Sequence, residues 1–320
     1  MKKIFALVAL SLTLAACTTP KPNEAPTVTT AAAPKGMYLY VFNGLGHTID
    51  EINLKTREVS SAVIKTGPVP SQFVMGNDTT YLVDSVSASI DLLDLRTRTK
   101  SDTINLRTGT SPITLTLAEG KKGLVMHSDF MTNLKEIAWM DLGTKTLEAT
   151  ASVPKLAWAD TGCVVANGKV YVPAAEVVYG QPSTESGLYV FDYATRKLLQ
   201  TLPLEATDNP TAIALDPNGM VEIGVSTGVK ILDPKENKVT KHVQLGAAAK
   251  AIRFLSADKA YALVEGGLVS FNPKTGDVLR PAANKIAAPT GSSGMFRIFD
   301  GAAYVSNFDA DTVRVIDLAT

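Results

Sequence analysis

Tyr-Val-Ser-Asn-Phe-Asp-Ala-Asp-Thr-Val-Arg-Val-Ile-Asp-Leu, residues 304–318, closes the chain on a phrase that also opens its patterned part. The opening version is Tyr-Leu-Tyr-Val-Phe-Asn-Gly-Leu-Gly-His-Thr-Ile-Asp-Glu-Ile-Asn-Leu, residues 38–54. Each is an apolar run, a polar turn and a second apolar run that ends on Asp or Asn. A phrase shared by both ends of a 320-residue chain predicts that the ends are neighbours in a ring of repeated units.

The end of that phrase recurs between them as an apolar residue, Asp or Asn, two variable residues and Thr. It reads Ile-Asn-Leu-Lys-Thr at 52–56, Leu-Asp-Leu-Arg-Thr at 93–97, Met-Asp-Leu-Gly-Thr at 140–144 and Phe-Asp-Tyr-Ala-Thr at 191–195. It returns as Phe-Asn-Pro-Lys-Thr at 271–275 and Ile-Asp-Leu-Ala-Thr at 316–320, and with Glu in place of Thr at 232–236. The anchors Asn53, Asp94, Asp141, Asp192, Asp233, Asn272 and Asp317 are spaced by 41, 47, 51, 41, 39 and 45 residues. Around each anchor lie four short runs rich in Val, Ile, Leu and Tyr, bounded by Gly, Pro, Asn and Asp, which predict antiparallel strands. Four strands per unit of about forty residues is the grammar of a propeller blade. The fold class is therefore all-β, a seven-bladed β-propeller of four-stranded antiparallel blades over residues 37–320. At the seam the strand assignment is incomplete: the first blade shows its second to fourth strands and the last stops at its third. Residues 26–30, Pro-Thr-Val-Thr-Thr, are a candidate for the missing outer strand of the last blade.

The Asp or Asn at each strand end is expected to accept a backbone N–H two residues on, with the following Thr reinforcing the turn. Tyr304-Val305-Ser306-Asn307, a short loop and Thr312-Val313-Arg314-Val315-Ile316-Asp317 resemble the repeat of YVTN-type seven-bladed propeller lipoproteins, with residues 38–53 as a looser copy. The middle repeats depart from that signature, which weakens any transfer of function more than it weakens the fold.

The N-terminus follows a different logic. Lys2 and Lys3 precede an apolar run that leads to Leu14-Ala15-Ala16-Cys17. This predicts a secretory signal over 1–16, too short for a comfortable membrane span. Its ending resembles a bacterial lipobox, which implies acylation of Cys17 and a lipid-anchored protein of the cell envelope. The absence of Asp at position 18 implies the outer membrane, if the cell has one. Residues 17–36, rich in Thr, Pro and Ala, read as a tether. Loss of Lys2 and Lys3 moves the chain from net zero to about −2, so global charge does not point to nucleic acid. Cys163 is then the sole thiol left, set in an apolar strand pattern and expected to be inert packing.

Charge sorts by position within the repeat. Turns after the anchors carry Lys55, Arg57, Arg96, Arg98, Lys100, Lys145, Arg196, Lys197, Lys235, Lys238 and Lys274, a basic rim. The opposite loops carry Asp84, Asp129, Glu176, Asp208, Glu265, Asp309 and Asp311. On that face the longest insertions are 129–136 and 176–187, and rigidly presented loops are a usual place for binding. Phe130, Trp158 and Tyr179 are candidate partner anchors, with Asp129, Asp160 and Glu176 around them; Asp84, Asp309 and Asp311 are candidate acids of the channel mouth. The leading expectation is a monomeric binding module for an envelope protein, a peptide or a wall polymer, with no cofactor. The alternative is an enzyme, lactonase-like or quinoprotein-dehydrogenase-like, using polar groups at the channel mouth. His47, His127 and His242 have no metal-ligand spacing, and neither a Gly-x-Ser-x-Gly elbow nor a phosphate-cradling loop is present.

Overall fold

The computed structural model describes residues 37–44, 46–76, 79–129, 135–153, 162–175, 185–288, 295–307 and 309–319. Within them the chain forms seven antiparallel sheets in sequence order, one per anchor. The sheets at 70–105, 110–152, 164–204 and 212–244 have four strands each. In the sixth, a 3-10 turn at Ala282–Asn284 divides the outer strand into Val278–Arg280 and Ile286–Ala287. The described strands of the first blade, Tyr38–Asn43, Thr48–Asn53 and Val59–Lys65, are its second to fourth. Those of the last, Phe296–Phe299, Ala302–Asn307 and Thr312–Asp317, are its first to third. The anchors fix this alignment, because each stands at or just past the end of a third strand. Residues 26–30 lie outside the described part.

Blades stack through apolar side chains on both faces, as the near-continuous hydrophobic runs require. Six buried clusters each join one consecutive pair of blades, from blades 1 and 2 round to blades 6 and 7. Trp139 of blade 3 meets Phe191 of blade 4 edge to face, with ring centroids 6.2 Å apart. The seventh interface closes the ring: Arg57 of blade 1 donates from Nη1 to the Tyr304 hydroxyl of blade 7 at 3.2 Å and stacks 5.5 Å from its ring centre.

The anchor turns do more than end strands. Asn53 Oδ1 accepts the N–H groups of Lys55 and Thr56 at 2.9 and 3.1 Å, and Asp141 Oδ1 those of Gly143 and Thr144 at 2.9 and 2.8 Å. Asp94 and Asn272 repeat the pattern, Asp233 and Asp317 accept the N–H two residues on, and Asp192 accepts that of Thr195, three residues on, at 2.6 Å. Four residues past each of the first six anchors the backbone turns left-handed, at Arg57, Arg98, Lys145, Arg196, Asn237 and Gly276, with φ between 52° and 85°. Asn and Gly suit that conformation, whereas a long side chain costs about 1–2 kcal/mol there. The cations at the first four turns reach the preceding blade. Arg98 meets Glu51 of blade 1 at 2.7 Å, Lys145 bonds Asp102 of blade 2, and Arg196 meets Glu148 of blade 3 at 2.7 Å. Four of the eleven residues expected to form a basic rim are thus clasps between blades.

A second contact runs the other way. Tyr171 on the second strand of blade 4 donates its hydroxyl to Pro234 O, the residue after the blade 5 anchor, at 3.1 Å. Tyr261 does the same to Leu318 O at 3.3 Å, and Tyr40 approaches Leu95 O at 3.5 Å. Each tyrosine is registered opposite the residue two before its own anchor. In blade 5 that register position, opposite Ile231, is held by Glu222. Glu222 is fully buried beside the apolar cluster of blades 5 and 6, and neither carboxylate oxygen has a partner. Burial, and then the negative charge of Asp216, push its carboxyl up to about 8, so it is protonated at neutral pH.

Two outcomes follow from these contacts. Glu51 is only 1 % exposed, so Arg98→Ala should strand a buried carboxylate and lower unfolding free energy by about 3–5 kcal/mol, with Glu51→Gln recovering much of the loss in the double variant. Equilibrium urea titrations of the four proteins measure this. Glu222 binds its proton more tightly folded than unfolded, so stability is full below its ordinary value of 4.5 and falls as pH rises toward about 8, by up to about 5 kcal/mol. Glu222→Gln should flatten that decline in denaturation curves taken across the same pH range.

Candidate functional site

The face opposite the anchor turns is built from the loops between second and third strands and the connections between blades. It carries a cleft of about 420 Å³ at the edge of blade 4. Ala175 ends the second strand there, Ser186, Gly187 and Tyr189 lie in the first half of the third, Leu204 ends the fourth and Ala206 follows it. Small side chains make the hollow: a Cβ on Gly187 would stand 3.2 Å from Leu202 O and from Thr201 Cγ2. The buried Tyr189 joins the apolar cluster shared with blade 3, so the cleft lies on the side of blade 4 that faces blade 3.

Blade 3 carries an ionic network at the same end but on its face toward blade 2, the face shared with Val125 and Ala138. Asp129, at the end of its second strand, meets Arg107 Nη2 at 2.9 Å, and the same nitrogen meets Glu136 at 3.1 Å. His127 Nε2 lies 3.8 Å from Glu136. Burial nevertheless holds the imidazole below its ordinary value, and Nδ1 has no hydrogen-bond partner. The sequence had not marked Arg107, His127 or Glu136 as members of a site. Strand register brings them together, since His127 stands opposite Glu136 across the hairpin.

Of the candidate partner-binding residues, Asp129 is the one among the described residues, and it lies on the face of blade 3 toward blade 2. Phe130, Trp158, Tyr179, Asp160 and Glu176 lie outside the described residues, as does Cys17. The segments that contain them join strands of blades 3 and 4: 130–134 and 176–184 complete second-to-third-strand loops, and 154–161 lies in the connection between the blades. The candidate channel-mouth acids separate. Asp84 is fully buried, its Oδ1 accepting the N–H groups of Val86 and Ser87 at 3.1 and 2.9 Å, so it caps a turn of blade 2. Its other oxygen is pressed against Gly67, where any Cβ would fall 1.8 Å away. Asp309 and Asp311 are exposed in the turn of blade 7, where the Asp309 N–H bonds Asn307 Oδ1 at 3.1 Å.

Three acids of the expected acidic face, Asp129, Asp208 and Glu265, are paired with cations. Asp208 is buried against Lys230, and Glu265 bonds Lys250. Among the described residues no group of three or more His, Cys, Asp or Glu gathers in metal-binding geometry. Cys163 is buried, its thiol pushed up to about 11 by loss of water, with Sγ 3.5 Å from Thr116 Oγ1. It packs in the cluster between blades 3 and 4.

No family model and no curated protein matches the chain. Solved structures do. A chain of the mitotic checkpoint complex superposes with a TM-score of 0.64 at 11 % identity, over 95 % of this chain and 98 % of its own. The propeller domain of Cps50 (Swd1) from Myceliophthora thermophila gives 0.58 at 10 % identity, over 89 % and 98 %. Hydrazine synthase of Kuenenia stuttgartiensis gives 0.59 at 16 % identity, over 89 % and 82 %. At such identities the likeness speaks for architecture alone, and with the seven anchored sheets it establishes that the chain folds as a seven-bladed β-propeller.

Proposed function

We propose that the protein is a lipid-anchored, extracytoplasmic binding module that grips an envelope protein, a peptide or a wall polymer at the loop face of blades 3 and 4. The observation that carries this reading is the cleft of about 420 Å³ walled by Ala175, Ser186, Gly187 and Tyr189. The longest loops of the chain attach around it, and they hold Phe130, Trp158 and Tyr179. Loops that carry large aromatic residues and attach at a small-residue hollow match the composition of protein-binding hot spots. The lipid anchor rests on Leu14-Ala15-Ala16-Cys17 and on the resemblance of residues 304–317 to YVTN-type lipoproteins. Acylation at Cys17, with the 17–36 tether, would hold the ring near an outer membrane and leave the loop face free to meet its partner.

Crosslinking of the protein in intact cells, followed by mass spectrometry, tests the reading. Crosslinks to a common partner should concentrate in 129–136 and 176–187 and fall at least tenfold in a Phe130→Ala, Trp158→Ala, Tyr179→Ala variant whose thermal unfolding is unchanged. Crosslinks that persist in that variant, or that map to the anchor turns, would overturn the loop-face assignment. Cys17→Ala should release the protein from the membrane fraction; retention there would overturn the anchor.

A further inference from the structure

We infer that the inner strands of blades 6 and 7 carry a binding site for a small soluble oxyanion, built on the guanidinium groups of Arg253 and Arg297. The two residues occupy equivalent places. Arg253, on Ala251–Ser256, is registered opposite Tyr261, and Arg297, on Phe296–Phe299, opposite Tyr304. Both tyrosines hold the second-strand position that contacts the next blade, so the two arginines stand at one height on consecutive inner strands around the ring axis. In blades 2, 4 and 5 the same register position is held by Val74, Val164 and Ala214. The paired cations are a local feature, not a demand of the repeat.

Neither guanidinium forms an ion pair with a carboxylate among the described residues. Arg253 Nη1 donates to the carbonyl of Ile252 at 2.6 Å, and its guanidinium lies 5.8 Å from the Phe296 ring centre. Arg297 Nη1 donates to the carbonyl of Phe296 at 3.1 Å. A guanidinium has five N–H donors in a planar fork shaped for carboxylate or phosphate, so most of the donor capacity of both is unspent. Loss of water depresses both arginines below their ordinary value. Arg253 falls to about 10, with repulsion from Arg297 as the second cause. Two like charges at one height on neighbouring inner strands, with no carboxylate counter-charge among the described residues, favour an anion that accepts hydrogen bonds from both forks.

The experiment uses the purified protein at constant ionic strength, with sodium chloride replaced stepwise by inorganic phosphate or by succinate. Phosphate should raise the melting temperature in a saturable way and broaden the ³¹P resonance; a response to succinate alone would identify a carboxylate as the ligand. Arg297→Gln, a change at a solvent-accessible side chain, should weaken binding at least tenfold, and Arg253→Gln with Arg297→Gln should abolish it. No saturable response to either anion in the unaltered protein, or an unchanged response in Arg297→Gln, would overturn the site. Should the double variant fail to fold, Arg297→Gln and the ³¹P titration decide alone.

Discussion

A sheet of four short strands has two apolar faces and can cover neither by itself, so each blade depends on how firmly the next is held against it. The device that holds it is a turn of five residues. Its first residue, an Asp or Asn, uses a side-chain oxygen to organise the backbone. Its fifth bends left-handed and, in four blades, projects a cation onto the preceding blade. Local hydrogen bonding thereby fixes the direction of a tertiary contact. The strain of an arginine or lysine in a conformation better suited to glycine makes physical sense only with that contact in view. Blade 6, whose turn has Gly276 at this place, has no side chain to send.

The ring was legible in the sequence because the anchors and their turns are local. Which three strands are described in the first and last blades also followed from where Asn53 and Asp317 sit. Side-chain direction was not legible. Arg57, Arg98, Lys145 and Arg196 read as a solvent-facing basic surface, since the sequence shows a charge near a turn but not the left-handed φ that aims it. The tyrosine contacts were hidden for another reason. Tyr40 and Tyr304 precede their anchors by 13 residues, Tyr171 by 21 and Tyr261 by 11. The loop between second and third strands varies in length, so only pairing across the hairpin shows that the positions are the same. Glu222 could not be recognised as an acid in a tyrosine's place without that register.

The loop face tells a similar story. Asp84 and Asp208 carry the right charge at the right end of the blades, yet one caps a turn and the other neutralises a buried lysine. Acids at strand ends serve the backbone first, and the sequence does not separate that duty from recognition. What distinguishes blades 3 and 4 is shape: a hollow made by Ala, Ser and Gly, with an ionic network on the neighbouring blade.

The clasps also have an order in time. Arg98, Lys145 and Arg196 each reach a blade that precedes them in the chain. As synthesis proceeds from the N-terminus, each of these contacts can form once its own turn has emerged. Arg57 alone must wait, because its partner Tyr304 lies 247 residues later. The growing molecule is therefore an open arc with one unsatisfied cation at its leading edge. Closure of a loop that long carries the largest entropic cost of any of these contacts, which makes joining the first blade to the seventh the natural last step of folding.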